Sequence, residues 1–418
     1  MKASRASRTA SDVMRQIIVR SGVTATFTRW TLAVTAATAS VAMSGCGDTL
    51  LTSPKTPAAS VESQQIGSRS LSLQWNEIAR QLVIEHRTDP PMAARYYALL
   101  SVAQFDAATS ASRKLAAQPA AIHAAIARAS SAILAYAYPD RALMLEEIAA
   151  ASVRGSEDGD AVGAKAARQV LVHARNDRSD LEWAGSVPTG DGLWFSSATP
   201  TQSPLRPRWG EVRPWHLKRG SEVRPEPPPA FGSAEFRTAL AEVRALSDNR
   251  TEAQLAIALF WADGAGSATP PGHWNAIASE LIARYQLDEV SAARTFALLN
   301  TAVMDAGISC WDAKYHYWFI RPPQADPAIT TPVGLPNFPS YVSGHATFSG
   351  AASEVLASMF PREASHLRAM AEEAALSRLY GGIHYRFDNE VGLRMGRKIG
   401  ALAVQRWKNI DGPLMPRD

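Results

Sequence analysis

The chain has 418 residues, 46% of them hydrophobic and 20% charged, with a formal net charge of +4. That is ordinary globular composition, long enough for one large domain or two, and the charge is too small to argue for nucleic acid. The two cysteines, Cys46 and Cys310, are too few for a disulfide scaffold.

Most of the positive excess comes from Lys2, Arg5, Arg8, Arg15, Arg20 and Arg29. Arg29 precedes Trp30 to Gly45, an apolar and small-residue run ending Met43-Ser44-Gly45-Cys46. A basic flank, a short apolar stretch and small residues before a cut site read as a secretory signal over residues 1–45. The stretch is too short to span a bilayer comfortably. Ser44 and Gly45 directly before Cys46 resemble a bacterial lipobox, with Cys46 lipidated as the first residue of the mature chain. The expected location is therefore exported, at the bacterial cell envelope, anchored through a lipid on Cys46. An ordinary cleaved signal would instead leave a periplasmic or secreted protein. No later segment reaches 18 consecutive apolar residues. The body is accordingly expected to be soluble and to meet a membrane only through that lipid.

Residues 46–69 are rich in Ser, Thr, Pro, Ala and Gln and read as a flexible tether. Residues 70–418 then read as one helical domain. Helical texture begins near Trp75. It recurs over Met92 to Ser112, Ala120 to Tyr138 and Ala161 to Arg175, where apolar residues repeat at three- and four-residue spacing. Ser186 to Ala230 holds nine prolines with Trp194, Phe195, Trp209 and Trp215. It is too proline-rich for a helix and too aromatic for a disordered linker, so an ordered loop is expected. Helices are expected over Ser233 to Leu246 and Glu252 to Ala262. Pro270-Pro271-Gly272 reads as a break, with a new helix from His273-Trp274 to about Tyr285. Leu287 to Trp311 is helical again. Arg321 to Pro339, with six prolines, is a second ordered loop, and three helices close the chain. Gly392, Gly396 and Gly400 fall on one side of the last helix and suit close packing.

Three short segments carry the chemistry. Lys314 and Arg321 are separated by Tyr315 to Ile320, so aromatic a stretch that burial is expected, and buried cations need an anion. Ser343-Gly344-His345 ends the proline loop and opens a helix from Ala346, whose N-terminal N–H groups and dipole suit an anion. Arg378 is followed by His384, expected to open a helix on which Asp388 lies one turn away. That carboxylate would fix the tautomer and leave the other imidazole nitrogen basic. Together Lys314, Arg321 and Arg378 offer three cationic donors to an oxyanion, and Ser343 and Gly344 neutral ones. His384 would act as nucleophile or ligand and His345 as acid–base group. His273 is read as a satisfied structural histidine, and Cys310 as a buried small apolar residue.

This set, spread over 75 residues, resembles the three-part signature of the type 2 phosphatidic-acid-phosphatase/vanadium-haloperoxidase superfamily. Phe-Pro-x-Tyr…Ser-Gly-His-Ala-Thr-Phe and His-Tyr-Arg-Phe-Asp are most similar to the chloroperoxidase-like bacterial branch. Val342 stands where the signature usually has Pro, which is expected to loosen the turn. The close match covers about residues 300–400, with the catalytic half placed at 300–410. The resemblance implies an all-α fold of packed helical bundles. It implies vanadate as cofactor, bound to His384, with peroxide polarised by Lys314 and halide oxidised to hypohalous acid. Trp311 and Phe338 would form an apolar halide niche, and the Trp194–Trp215 loop would close the site. The alternative is an acid phosphatase, with His384 attacking a phosphate ester and His345 protonating the leaving group. A third reading is a non-catalytic, tethered phosphate-binding lipoprotein.

Overall fold

The computed structural model describes residues 70–153, 156–410 and 412–415. The proposed signal 1–45, the tether 46–69 and Cys46 lie outside the described residues. Among the described residues there are thirteen α-helices, four short 3₁₀ turns and one isolated antiparallel bridge, Leu193 to Phe319.

The first five helices are α1 (Leu71–Glu85), α2 (Pro90–Lys114), α3 (Pro119–Ala137), α4 (Ala142–Val153) and α5 (Glu157–Arg175). α2, α3 and α5 pack on one another and α4 lies on α3. α3 is long and apolar enough to cross a membrane by length and composition alone, but most of it is buried against these neighbours. α4 is a helix that the apolar spacing does not announce. Its Leu143 points fully outward while Leu145 and Ile148 point inward, so no clean apolar stripe marks it.

The later helices are α6 (Ala234–Asp248), α7 (Glu252–Phe260), α8 (Thr269–Arg284), α9 (Glu289–Tyr317), α10 (Pro322–Ala325), α11 (Gly344–Met359), α12 (Ala364–Tyr380) and α13 (Arg386–Trp407). α9 lies between the two groups, against α2 on one side and α11 and α13 on the other. A buried amide chain ties four helices together. Asn76 of α1 donates to Asn275 of α8 at 2.8 Å, Asn275 to Asn300 of α9 at 2.7 Å, and Asn300 to Ser101 of α2 at 2.8 Å.

Two boundaries correct the sequence reading. Pro270-Pro271-Gly272 does not break a helix but forms the first turn of α8. At those positions a helix uses no N–H for its own bonds, so proline begins it at no cost. α9 runs past Trp311 through the aromatic stretch to Tyr317, where left-handed Trp318 (φ 49°) ends it. Lys314 is therefore held in the last turn of a buried helix.

α11 and α13 approach closely because of the glycine row. A Cβ at Gly396 would lie 2.2 Å from the Thr347 carbonyl oxygen, and one at Gly400 would lie 2.7 Å from that of Ala351. The row brings the N-terminus of α13 beside the N-terminus of α11, which is where the candidate site lies.

Candidate active site

Ser343 caps α11, its Oγ accepting the Ala346 N–H at 3.5 Å. Its own N–H donates to the Asp388 carbonyl at 3.0 Å, joining the two helix ends. Gly344 is the first residue of α11. A Cβ there would meet nothing closer than Trp311 at 3.8 Å, so no protein atom demands glycine. The Tyr341–Val342 peptide is cis, Val342 is fully buried, and Cys310 Sγ donates to its carbonyl at 3.6 Å.

Lys314, Arg321 and Arg378 are all but fully buried. Lys314 Nζ donates to the carbonyls of Pro339 and Ser340, both at 2.8 Å. Arg321 donates from Nε to Phe338 O and from Nη1 to Ile383 O, each at 2.8 Å. Arg378 donates from Nε to Ser377 Oγ and from Nη2 to Ala258 O, each at 2.9 Å. Their partners are thus carbonyls and a hydroxyl, and among the described residues none of the three forms an ion pair. Burial accordingly depresses all three: Lys314 to about 7, and Arg321 and Arg378 to about 10.

The two proline-rich loops hold this arrangement. Trp194 N–H donates to Trp318 O at 2.7 Å and Ile320 N–H to Gly192 O at 2.9 Å, which pins the strand-like segment before Arg321. Leu205 N–H donates to Asn337 O at 3.1 Å. Leu205 O accepts from Trp311 Nε1 at 3.1 Å and from the Tyr315 hydroxyl at 2.6 Å. The first loop therefore covers the aromatic wall with Leu205 rather than with its tryptophans. Trp194 instead packs near Trp318, and Trp215 stacks on His173 at 4.2 Å. Trp311 and Phe338 face each other with centroids 5.0 Å apart. Lys314 Nζ lies 5.1 Å from the Phe338 ring and Arg321 Cζ 5.0 Å from it.

His384 does not open α13, as the sequence reading expected. Tyr385 is the N-cap and the helix starts at Arg386, so Asp388 reaches back across the helix end rather than along one face. Its Oδ2 accepts from His384 Nδ1 at 2.8 Å and from Tyr385 N–H at 3.3 Å. The reason is local: an acidic side chain in the first turn satisfies N–H groups that the helix leaves unbonded. With Nδ1 engaged, Nε2 is the nitrogen that can bind a ligand. Burial, then Arg321, Lys314, His345 and Arg378, hold His384 well below the usual imidazole value. Hydrogen bonds tie the segments together, from Lys314 to Ser340 O, from Arg321 to Ile383 O and from Ser343 N–H to Asp388 O.

Ser340, which the sequence reading missed, donates from Oγ to Asp388 Oδ2 at 2.5 Å. Its carbonyl accepts from Lys314. No spacing marks it, although it lies within the Phe-Pro-Ser-Tyr segment. Burial raises the Asp388 carboxyl to about 6, with the Ser340 bond opposing. His345, the second residue of α11, has a buried Nε2 with no hydrogen-bond partner among the described residues. Burial, then Arg378 and His273, push its pKa far down, while the backbone of Trp261 and Ala262 opposes this. Asp263, also missed, acts on Arg378. Buried cations with no ion-pair partner among the described residues, an orphaned imidazole nitrogen and a helix N-terminus beside them fit a multiply charged oxyanion such as vanadate or phosphate.

A family profile described as the VCPO second helical-bundle domain matches residues 361–411. The vanadium chloroperoxidase of Curvularia inaequalis is 34% identical over 142 residues, 26% of this chain and 23% of that protein. The match therefore spans about a quarter of that relative's length. A solved structure described as the first bacterial vanadium-dependent iodoperoxidase superposes with TM-score 0.70 and 27% identity, covering 80% of this chain and 96% of that one. A holo-type bacterial vanadium-dependent chloroperoxidase shares the fold, with TM-score 0.64 and 15% identity over 77% of this chain and 93% of the other. In its fold and over residues 361–411 the chain is thus similar to vanadium haloperoxidases, bacterial ones among them, which is consistent with the type 2 phosphatidic-acid-phosphatase/vanadium-haloperoxidase superfamily that its motifs resemble.

Proposed function

We propose that this protein oxidises halide with hydrogen peroxide at a vanadate group held by His384. The observation that carries the reading is the set of buried cations, Lys314, Arg321 and Arg378, whose partners are carbonyls and a hydroxyl. Burying a charge without a counter-charge costs several kcal/mol, roughly, and an oxyanion between them offsets that cost. Vanadate, when bound, supplies the Lewis-acidic centre at which peroxide is activated toward halide.

The chain's own residues do the rest. His384 Nε2 would hold the metal, and Asp388 with Ser340 keeps the proton on Nδ1. Lys314, Arg321, Arg378, the Ser343 hydroxyl and the Gly344 N–H would hold the oxygens. His345 moves a proton at Nε2. Trp311 and Phe338 form an apolar wall beside Lys314, where a halide can lose water. The iodoperoxidase and chloroperoxidase relatives agree with halide as the substrate class.

The test uses the purified full-length chain, with and without orthovanadate. Peroxide with iodide or bromide is supplied in one assay and a chromogenic phosphate ester in another. Vanadate-dependent halide oxidation is expected, with ester hydrolysis weak and inhibited by vanadate. If vanadate confers no halide oxidation between about pH 4 and 8 while the untreated protein hydrolyses the ester, the site is a phosphatase with His384 as nucleophile.

A further inference from the structure

We infer that His273, held by Asp263, is a second acid–base group of this site, placed at its mouth to exchange with solvent the proton that His345 handles inside. The inference rests on the haloperoxidase reading for its chemistry. Halide, hydrogen peroxide and one proton give hypohalous acid and water, so each turnover consumes a proton. His384 is buried, and so is His345 Nε2. With His345 Nε2 buried and without a hydrogen-bond partner among the described residues, a proton reaching it has to come by way of neighbouring groups.

His273 is built for that task. It follows the first turn of α8, and its Nδ1 faces both carboxylate oxygens of Asp263 at 3.2 and 3.1 Å. Its ring stacks on Trp261 at 4.4 Å with an interplanar angle of 17°, and Phe260 meets it edge-on at 5.1 Å. Trp261 is itself fixed by a 2.9 Å bond from Nε1 to Glu373. The Trp261–Ala262 backbone lies against His345, and His345 feels the charge of His273 directly. The short segment 261–263 therefore has one histidine packed on its indole and the other against its backbone. Asp263 adopts left-handed backbone geometry, φ 42°, which an aspartate tolerates well.

A group that exchanges protons with solvent has to be reached by water. Here both side chains keep some exposure, 17% for His273 and 11% for Asp263. The charged and titratable groups around the dyad are His345, Arg378 and Glu373, then Glu77, Arg80 and Tyr97, and Arg87 beside Gly266. None of them replaces His273 against Asp263 in an ion pair, so the dyad stands as a unit. In turnover His273 takes a proton from solvent at Nε2 and passes one inward to neutral His345. Asp263 holds the ring through Nδ1 and so orients Nε2 for the exchange.

The test compares wild type with His273→Asn, whose amide can still donate to Asp263, and with Asp263→Asn, all as full-length chains. The turnover number of His273→Asn should fall by at least about tenfold near neutral pH, with vanadate Kd within about twofold of wild type and the loss recovered by added imidazole. Independently of activity, the His345 imidazole titration, followed by nitrogen NMR with inorganic phosphate bound, should shift in His273→Asn. A turnover–pH profile overlying that of wild type, or a loss that imidazole does not repair, or an unmoved His345 titration overturns the inference. A wild type with no vanadate-dependent halide oxidation counts against the haloperoxidase reading alone, and the NMR titration then decides the dyad by itself.

Discussion

His384 and His345 sit in one electrostatic field, yet their nitrogens are used differently. His384 has Nδ1 anchored on Asp388, and His345 has Nε2 buried without a partner. The first arrangement suits a fixed ligand or nucleophile, the second a group that gains and loses a proton. His384→Ala should therefore abolish halide oxidation and any ester hydrolysis together. His345→Ala should lower the turnover number by about 10²–10⁴ while vanadate still binds, as equilibrium dialysis against vanadate would register. Unimpaired turnover in His384→Ala would remove that residue from the mechanism. Ser340→Ala should weaken vanadate binding by about tenfold or more, because the carboxylate that orients His384 loses a buried donor. The cations and both histidines were legible because they cluster in three dense segments whose residue types make sense only together. Ser340 and Asp263 were not, because their roles arise from tertiary proximity. Ser340 meets a carboxylate 48 residues away, and Asp263 acts on Arg378 from the end of another helix.

At the level of elements, the site depends on how tightly α11 and α13 approach. Gly396 is the narrowest point, where an added Cβ would fall 2.2 Å from a backbone carbonyl oxygen. Backbone cannot step aside as a flexible side chain can, so Gly396→Val must push the helices apart. The expected cost is about 1–3 kcal/mol, read from urea unfolding, together with weaker vanadate binding, since Ser343 and Asp388 sit on the two separated ends. Unchanged stability in that variant would show that the helices part without loss. Apolar spacing located most helices but not how they begin. Two prolines read as a break are the opening turn of α8, because proline forbids a helix interior and favours its start. Four-residue spacing put His384 and Asp388 on one helix face. In the structure the contact is made over the helix end, which a periodicity argument cannot distinguish. The aromatic run after Trp311 concealed the last turn of α9 for a related reason: burial on several sides leaves no stripe to read.

At the scale of the molecule, the two loops, α9, α11, α12 and α13 together surround three cations that form no ion pair among the described residues. The folded protein should therefore be stabilised by an oxyanion, and the size of the effect should follow Lys314. Burial lowers that amine from 10.5 to about 7, so in the folded apo-protein it loses its proton as pH rises through about 7. The unfolded chain keeps the proton up to the ordinary lysine range. Between those limits the unfolded state binds more protons, so apo stability gains from this group as pH rises and loses that gain below about 7. Anion binding works in the opposite sense. Below about 7 a ligand meets three charged donors, and above it only the two guanidinium groups remain. Sulfate is the suitable probe, because its own charge is constant over this range. A ligand at about 100 times its Kd stabilises by roughly 2.7 kcal/mol, enough to see as a shift in Tm. The sulfate-induced rise in Tm should be large at pH 6 and clearly smaller at pH 9, and Lys314→Met should make it small at both. An equal rise at both pH values in the wild-type protein would mean that Lys314 does not face the bound anion. The oxyanion would then be held by Arg321, Arg378 and the α11 N-terminus alone.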